Sequence, residues 1–219
     1  MSFSRAEVKK LGNEQIKQQY WSYVLASFLF LLLGGSASVG LNSEQFTDSA
    51  FWNAFIIVIG VLSLVFSIAI NIFVTGPLEV GVRRLYLTGM YGHAPISLIG
   101  SGFQKEYYKK TILAVFLPKL YVALWSLLLL IPGIIKSYEY YFVSWIVAEH
   151  PGISPKEAMR MSSQITKGRK WELFVLDLSF IGWLVVGAMC CGIGTIFVMP
   201  YVDATFTQVY SRLKILEVK

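Results

Sequence analysis

The chain has 219 residues, 55% of them hydrophobic and only 15% charged, with a mean hydropathy of +0.59. Soluble domains carry about 25% charged residues, so this composition excludes an ordinary water-soluble globule and selects the integral membrane class. The formal net charge of +6 points to an anionic partner, and two adjacent cysteines, Cys190 and Cys191, leave no disulfide framework and no spaced metal motif.

In chain order, residues 1–19 are basic and residues 20–41 form a first apolar run without a charge. The apolar stretch 24–33 followed by "GGSAS" also fits a cleavable leader; continuation of the run to Leu41 favours a retained span. A second span is predicted over 51–78, where Ser63, Ser67, Asn71 and Thr75 recur every four residues on one face, a pattern that suits helix packing in lipid. Residues 79–111 mix glycine, proline and apolar residues in "LTGMYGHAPISLIGSGF", which reads as an irregular segment lying at the membrane interface.

The run from 112 to 147 is 36 residues, about 54 Å as one helix, far more than a bilayer core of ~30 Å needs. Two spans, 112–130 and 132–149, joined by a turn at Pro132-Gly133 fit better. "ISPKEAMRMSSQITKG" then has a capping Ser154, Pro155 at the first helical position, Glu157 completing a capping box and Gly168 as a stop. Ala158, Met161, Ser162 and Ile165 line one face of this amphipathic helix. Two last spans cover 171–189 and 195–211.

Seventeen of the 19 Lys and Arg fall in segments 1–19, 79–111, 150–170 and 212–219, and none in the alternate connections. The positive-inside rule therefore places both termini in the cytoplasm. The expected architecture is all-α: a polytopic transmembrane helix bundle of about six spans forming one integral membrane domain, with an amphipathic helix on the cytoplasmic side. Cleavage of a leader would leave five spans with the same orientation.

Two sets of residues stand out. Lys119, Lys136, Glu139, Asp177 and Asp203 fall within spans, where a charge costs ~2.5–3.5 kcal/mol at the bilayer centre on insertion scales and must find a partner. The expected arrangement is a polar cluster, with Lys119 paired to Asp177 or Asp203 and Lys136 to Glu139. Either these are neutral pairs that hold helices in register, or they line a polar cavity. The second set is Lys105, Lys109, Lys110, Lys156, Arg160, Lys167, Arg169 and Lys170, on the basic side. With Tyr107 and Tyr108 among them they read as a lipid-facing belt for anionic head groups rather than a nucleic-acid surface. No zinc-protease helix, nucleophile elbow or phosphate loop is present. His93 and His150 lie in separate connections, so no metal, cofactor or catalytic residue is expected.

"IPGIIKSYEY" with "AEHPGISPKEAM", then "WELFVLDLSFIGW" and "GIGTIFVMPYVDAT", resemble the bacterial integral membrane family known as domain of unknown function 975. The resemblance spans roughly residues 129–210. It implies a multi-pass protein of the bacterial cytoplasmic membrane and carries no catalytic residues. Ser144 stands where many relatives have proline, which implies a straighter fourth span. The expected function is a non-catalytic accessory or envelope-associated bundle acting through lipid or protein contacts, with a membrane-protein partner or a second copy as candidate partners. The alternative is a small transporter or permease using Glu139, Asp177 and Asp203.

Overall fold

The computed structural model describes residues 4–18, 20–25, 50–189 and 193–217, and every regular element among them is helical. Most of the first expected span, the small residues of 34–40, Cys190 and Cys191 lie outside the described residues.

Helix α1 is Arg5–Gln18. Helix α2, Ala50–Ile70, passes through a π-turn, Asn71–Thr75, into α3, Gly76–Gly89, without leaving helical geometry. The π-turn has a local cause. Pro77 has no N–H to give the carbonyl of Phe73, so that carbonyl needs another donor. Tyr108 supplies it, its hydroxyl donating to the Phe73 oxygen at 2.7 Å. The Gly76 N–H meanwhile reaches back five residues to the Asn71 carbonyl. The expected end of the second span at 78 is thereby corrected: the helix runs on to Gly89, and the irregular segment begins only there. In α2 the polar stripe satisfies itself locally, Ser63 donating to the Gly60 carbonyl and Asn71 to that of Ser67.

A 3₁₀ helix, Ile96–Phe103, folds back onto α3. Contact is so close that a side chain at Gly81 would strike the backbone of Ile99, and one at Gly102 that of Pro77.

Helix α4 is Tyr108–Leu128 and α5 is Leu130–Glu139, separated by the single extended residue Leu129 at φ −154°, ψ 131°. The reversal thus comes three residues before the expected Pro132-Gly133 turn. Pro132 sits in the first turn of α5, where its missing N–H would have no intrahelical partner anyway. Gly133 faces Ser126 across the hairpin.

The segment expected as a fourth continuous span is broken. Helix α5 ends at Glu139, capped by Tyr140, and α6, Val143–Glu149, starts after Phe142. Hydroxyls from α7, Pro155–Thr166, hold the break open. Ser162 Oγ donates to the Glu139 carbonyl at 2.8 Å and accepts from the Phe142 N–H at 3.3 Å, while Thr166 Oγ1 donates to the same carbonyl at 3.3 Å. The straighter helix expected from Ser144 is therefore not formed, and Ser144 instead donates to Glu79.

Helix α7 begins as its sequence predicts, with Ser154 Oγ accepting from the Glu157 N–H. Helices α8, Lys170–Met189, and α9, Ile193–Glu217, complete the fold, with Pro200 contained inside α9.

The core centres on α6, whose residues Val143 to Ala148 are buried. Leu173, Leu176 and Phe180 of α8, Phe206, Tyr210 and Leu213 of α9, Ala158 and Ile165 of α7 and Val8 of α1 pack around it. Beyond this core the surface changes character. No described side chain in 53–70 is buried, and Leu127 to Ile131, at the α4–α5 reversal, are all exposed. Two helical stretches, Asn53–Gly89 and Tyr108–Leu128, are long and apolar enough to cross a membrane.

Candidate functional site

The charged residues within the apolar helices gather into two nodes. The first joins α3, α4, α6 and α9. Glu79 accepts from Lys119 Nζ at 2.8 Å and from Ser144 Oγ at 2.6 Å. One turn further along α3, Arg83 Nη1 donates to Asp203 Oδ1 at 2.5 Å. Its guanidinium lies 3.9 Å from the centre of the Trp145 ring. That indole N–H in turn donates to Thr207 Oγ1 at 3.0 Å, and Thr207 donates to the Asp203 carbonyl at 2.8 Å. Asp203 thus meets a fixed cation, and the cation is sandwiched against a ring whose own position is pinned.

The second node joins α5, α7 and α8. Glu139 accepts from Lys136 at 2.8 Å and Ser163 at 3.2 Å on one oxygen, and from Lys170 at 2.6 Å on the other. Beside it Tyr138 donates its hydroxyl to Asp177 Oδ2 at 3.0 Å. An aromatic ladder connects the nodes: Tyr138 stacks on Tyr141, and Tyr141 on Trp145, with centroids 6.1 and 5.8 Å apart. The first node pairs two cations with two carboxylates, whereas in the second both lysines meet Glu139 and Asp177 has the Tyr138 hydroxyl.

All five expected cluster residues are therefore hydrogen-bonded, but the pairing differs. Lys136 meets Glu139 as expected. Lys119 meets neither Asp177 nor Asp203; its partner is Glu79, while Asp203 is taken by Arg83. Both α3 residues were placed in an interfacial segment because the helix was expected to stop at 78. Glu79 and Arg83 sit four apart, on one helix face, a spacing that would have marked them had the helix been continued.

Of the second set, Lys105, Lys109, Lys110, Lys156, Arg160 and Lys167 are exposed, and Arg169 and Lys170 are half-buried. Arg160 pairs with Glu157 one turn away. Lys170 is turned inward to Glu139, so it belongs to the second node. The basic stretches 105–110 and 150–170 are neighbours. At Gly152, with φ +85°, a Cβ would fall 2.6 Å from the Tyr107 ring. Among the described residues no three His, Cys, Asp or Glu side chains converge as a metal site would require.

Residues 127–217 match the model of the family described as Protein of unknown function (DUF975), so the resemblance is shown over that segment. The match takes in the whole second node with Asp203, Trp145 and Thr207 of the first; Glu79, Arg83 and Lys119 lie outside it. No curated protein and no solved structure matches the chain.

Proposed function

We propose that the protein is a multi-pass bundle of the bacterial cytoplasmic membrane that works without catalysis, through contacts with lipid and with other membrane proteins. The observation that carries this reading is the pairing of opposite surfaces. Helix α2 turns apolar side chains outward over most of its circumference, with the face of Gly60, Ser63 and Ser67 half-buried, a state that costs little only where the surrounding solvent is hydrocarbon. Most of the charges among the apolar helices are meanwhile paired with one another, Arg83 with Asp203, Lys119 with Glu79, and Lys136 and Lys170 with Glu139, an arrangement suited to holding helices in register. The about six spans, with both termini cytoplasmic, rest on the one-sided distribution of Lys and Arg. The exposed lysines of 105–110 and 156–167 supply the contact with anionic head groups, each worth ~1 kcal/mol near a charged surface.

Cysteine mapping tests this. With Cys190 and Cys191 replaced by serine, Arg160→Cys should react with a membrane-impermeant maleimide only after the cytoplasmic face is opened, and Val61→Cys should stay protected in both states. Labelling of Arg160→Cys in intact cells would overturn the topology. One observation favours the permease alternative: Asp177 has a hydrogen bond from Tyr138 but no ion pair among the described residues. Proton flux into liposomes that Asp177→Asn abolishes would favour that reading.

A further inference from the structure

Away from both nodes, a cavity of about 650 Å³ opens between the end of α3, the end of α6 and the last turns of α9. This is the size of a small-molecule site. Its walls are apolar at Leu87, Met90 and Ile215 and charged at Arg84, Glu149 and Lys214. Two of those charges are already spent. Glu149 accepts from Lys214 at 2.6 Å and from the Tyr210 hydroxyl at 2.6 Å. Arg84 is different. It is half-buried, lines the cavity, and takes part in no ion pair among the described residues. One positive charge is left over in a pocket whose other walls are largely hydrocarbon. A guanidinium offers a planar fork of donors matched to phosphate or carboxylate.

We propose that this cavity binds one anionic lipid, its phosphate on Arg84 and the start of an acyl chain along Leu87, Met90 and Ile215. The remainder of the chain leaves past Ile215, which is exposed. Arg84 and Lys214 both belong to the basic side of the chain, so the site takes its lipid from the cytoplasmic leaflet. The proposal rests on the membrane reading above and adds to it a single defined site, distinct from the diffuse attraction of surface lysines.

Native mass spectrometry of the detergent-solubilised full chain tests it, with dioleoylphosphatidylglycerol, dioleoylglycerol (the same acyl chains without the phosphate) and inorganic phosphate as probes. The expected result is one retained phosphatidylglycerol, with dioleoylglycerol bound roughly tenfold more weakly, the worth of one charged hydrogen-bonded contact. Arg84→Gln should bring phosphatidylglycerol down to the dioleoylglycerol level. Lys156→Gln, at an exposed lysine outside the cavity, should leave binding unchanged. Because Arg84 has no ion pair or side-chain hydrogen bond to lose among the described residues, Arg84→Gln should melt with the wild type. Ser211→Phe, which fills the cavity with Arg84 in place, should also abolish the retained lipid. Retention by either cavity variant overturns the site. So does equal binding of the phosphate-free lipid, or displacement by inorganic phosphate, which would mark a bare anion site. If the chain fails to integrate into bilayers, the membrane reading falls. If it integrates and Arg84→Gln binds phosphatidylglycerol like the wild type, the site alone falls.

Discussion

Helices α2 and α6 are built from the same kinds of residue and live in opposite surroundings. The 21 residues of α2 include no described side chain that is buried, whereas α6 has only seven residues, of which six in succession are buried. Helix α2 is the more apolar of the two, yet α6 is the one that is buried. What separates them is the polar chemistry at their ends. Helix α6 is bracketed by the Ser162 bridge at its start and the Glu149, Tyr210 and Lys214 bonds at its finish. In α2 Ser63 donates to the Gly60 carbonyl of its own helix, and the Ser67 carbonyl accepts from Asn71 of the π-turn that follows. A helix that satisfies itself can face hydrocarbon; a helix whose ends need partners is held where those partners are.

The sharpest way to break this comparison is to remove one charge from the packed side. Arg83 and Asp203 are only 15% and 19% exposed at their side chains. Arg83→Leu leaves the carboxylate without its cation and should cost about 3–5 kcal/mol in reversible unfolding in detergent. Arg83→Leu with Asp203→Leu should recover most of it. If the double variant is as damaged as the single, the Trp145 contact rather than the charge is what matters.

Val61→Lys probes the other side. Val61 is 53% exposed and touches little of the protein. Unfolding in detergent should therefore barely change, while membrane insertion of the segment should become less favourable by about 2.5–3.5 kcal/mol. Measured together, the two variants separate lipid-facing from core-facing residues. A large detergent effect of Val61→Lys would mean that α2 has a protein partner.

This division explains how much was legible in the sequence. Apolar runs and their flanking charges were enough to read an all-helical chain, and Ser154, Pro155 and Glu157 placed the start of α7 correctly. The turn was misplaced because Pro132 and Gly133 were read as its centre, whereas proline is equally at home in a helix's first turn. The break at 140–142 has no glycine or proline to announce it. Its support comes from hydroxyls 20 and more residues away, which no local pattern reports. The pairing of Lys119 failed for a related reason. Naming the charges inside separate spans gives candidates, but cannot say that α3 continues past 78 and brings Glu79 nearer.

That remote support is itself a target of intermediate size. Ser162→Ala removes the acceptor of the Phe142 N–H and one donor to the Glu139 carbonyl in a fully buried site. A buried N–H left without a partner costs about 1–3 kcal/mol, and loss of that order is expected on unfolding. Ser162→Thr keeps the hydroxyl, so any loss it shows measures crowding rather than the bridge. Were Ser162→Ala as stable as wild type, the break would be set by packing of α6 alone.

The smallest expected effect lies where α1 is tied to α9. Glu7 accepts from Arg212 Nη2 at 2.6 Å. This hydrogen bond, and then the positive charge itself, hold the Glu7 carboxyl below its ordinary value of 4.5, and the same bond raises Arg212. A carboxyl held low in the folded chain binds its proton less readily than in the unfolded chain. Its contribution is therefore complete above 4.5 and is lost as the pH falls through the lowered folded value. The pair is solvent-facing, so screening keeps its effect small and salt should weaken it further. Thermal midpoints of wild type and Glu7→Gln should differ slightly at neutral pH in low salt, and the two curves should converge on acidification. A gap that persisted in acid or in high salt would show that Glu7 matters through packing, and the tie between α1 and α9 would then rest on the hydrogen bond from Gln208 to Gln15 and on apolar contacts such as Val8, which is fully buried.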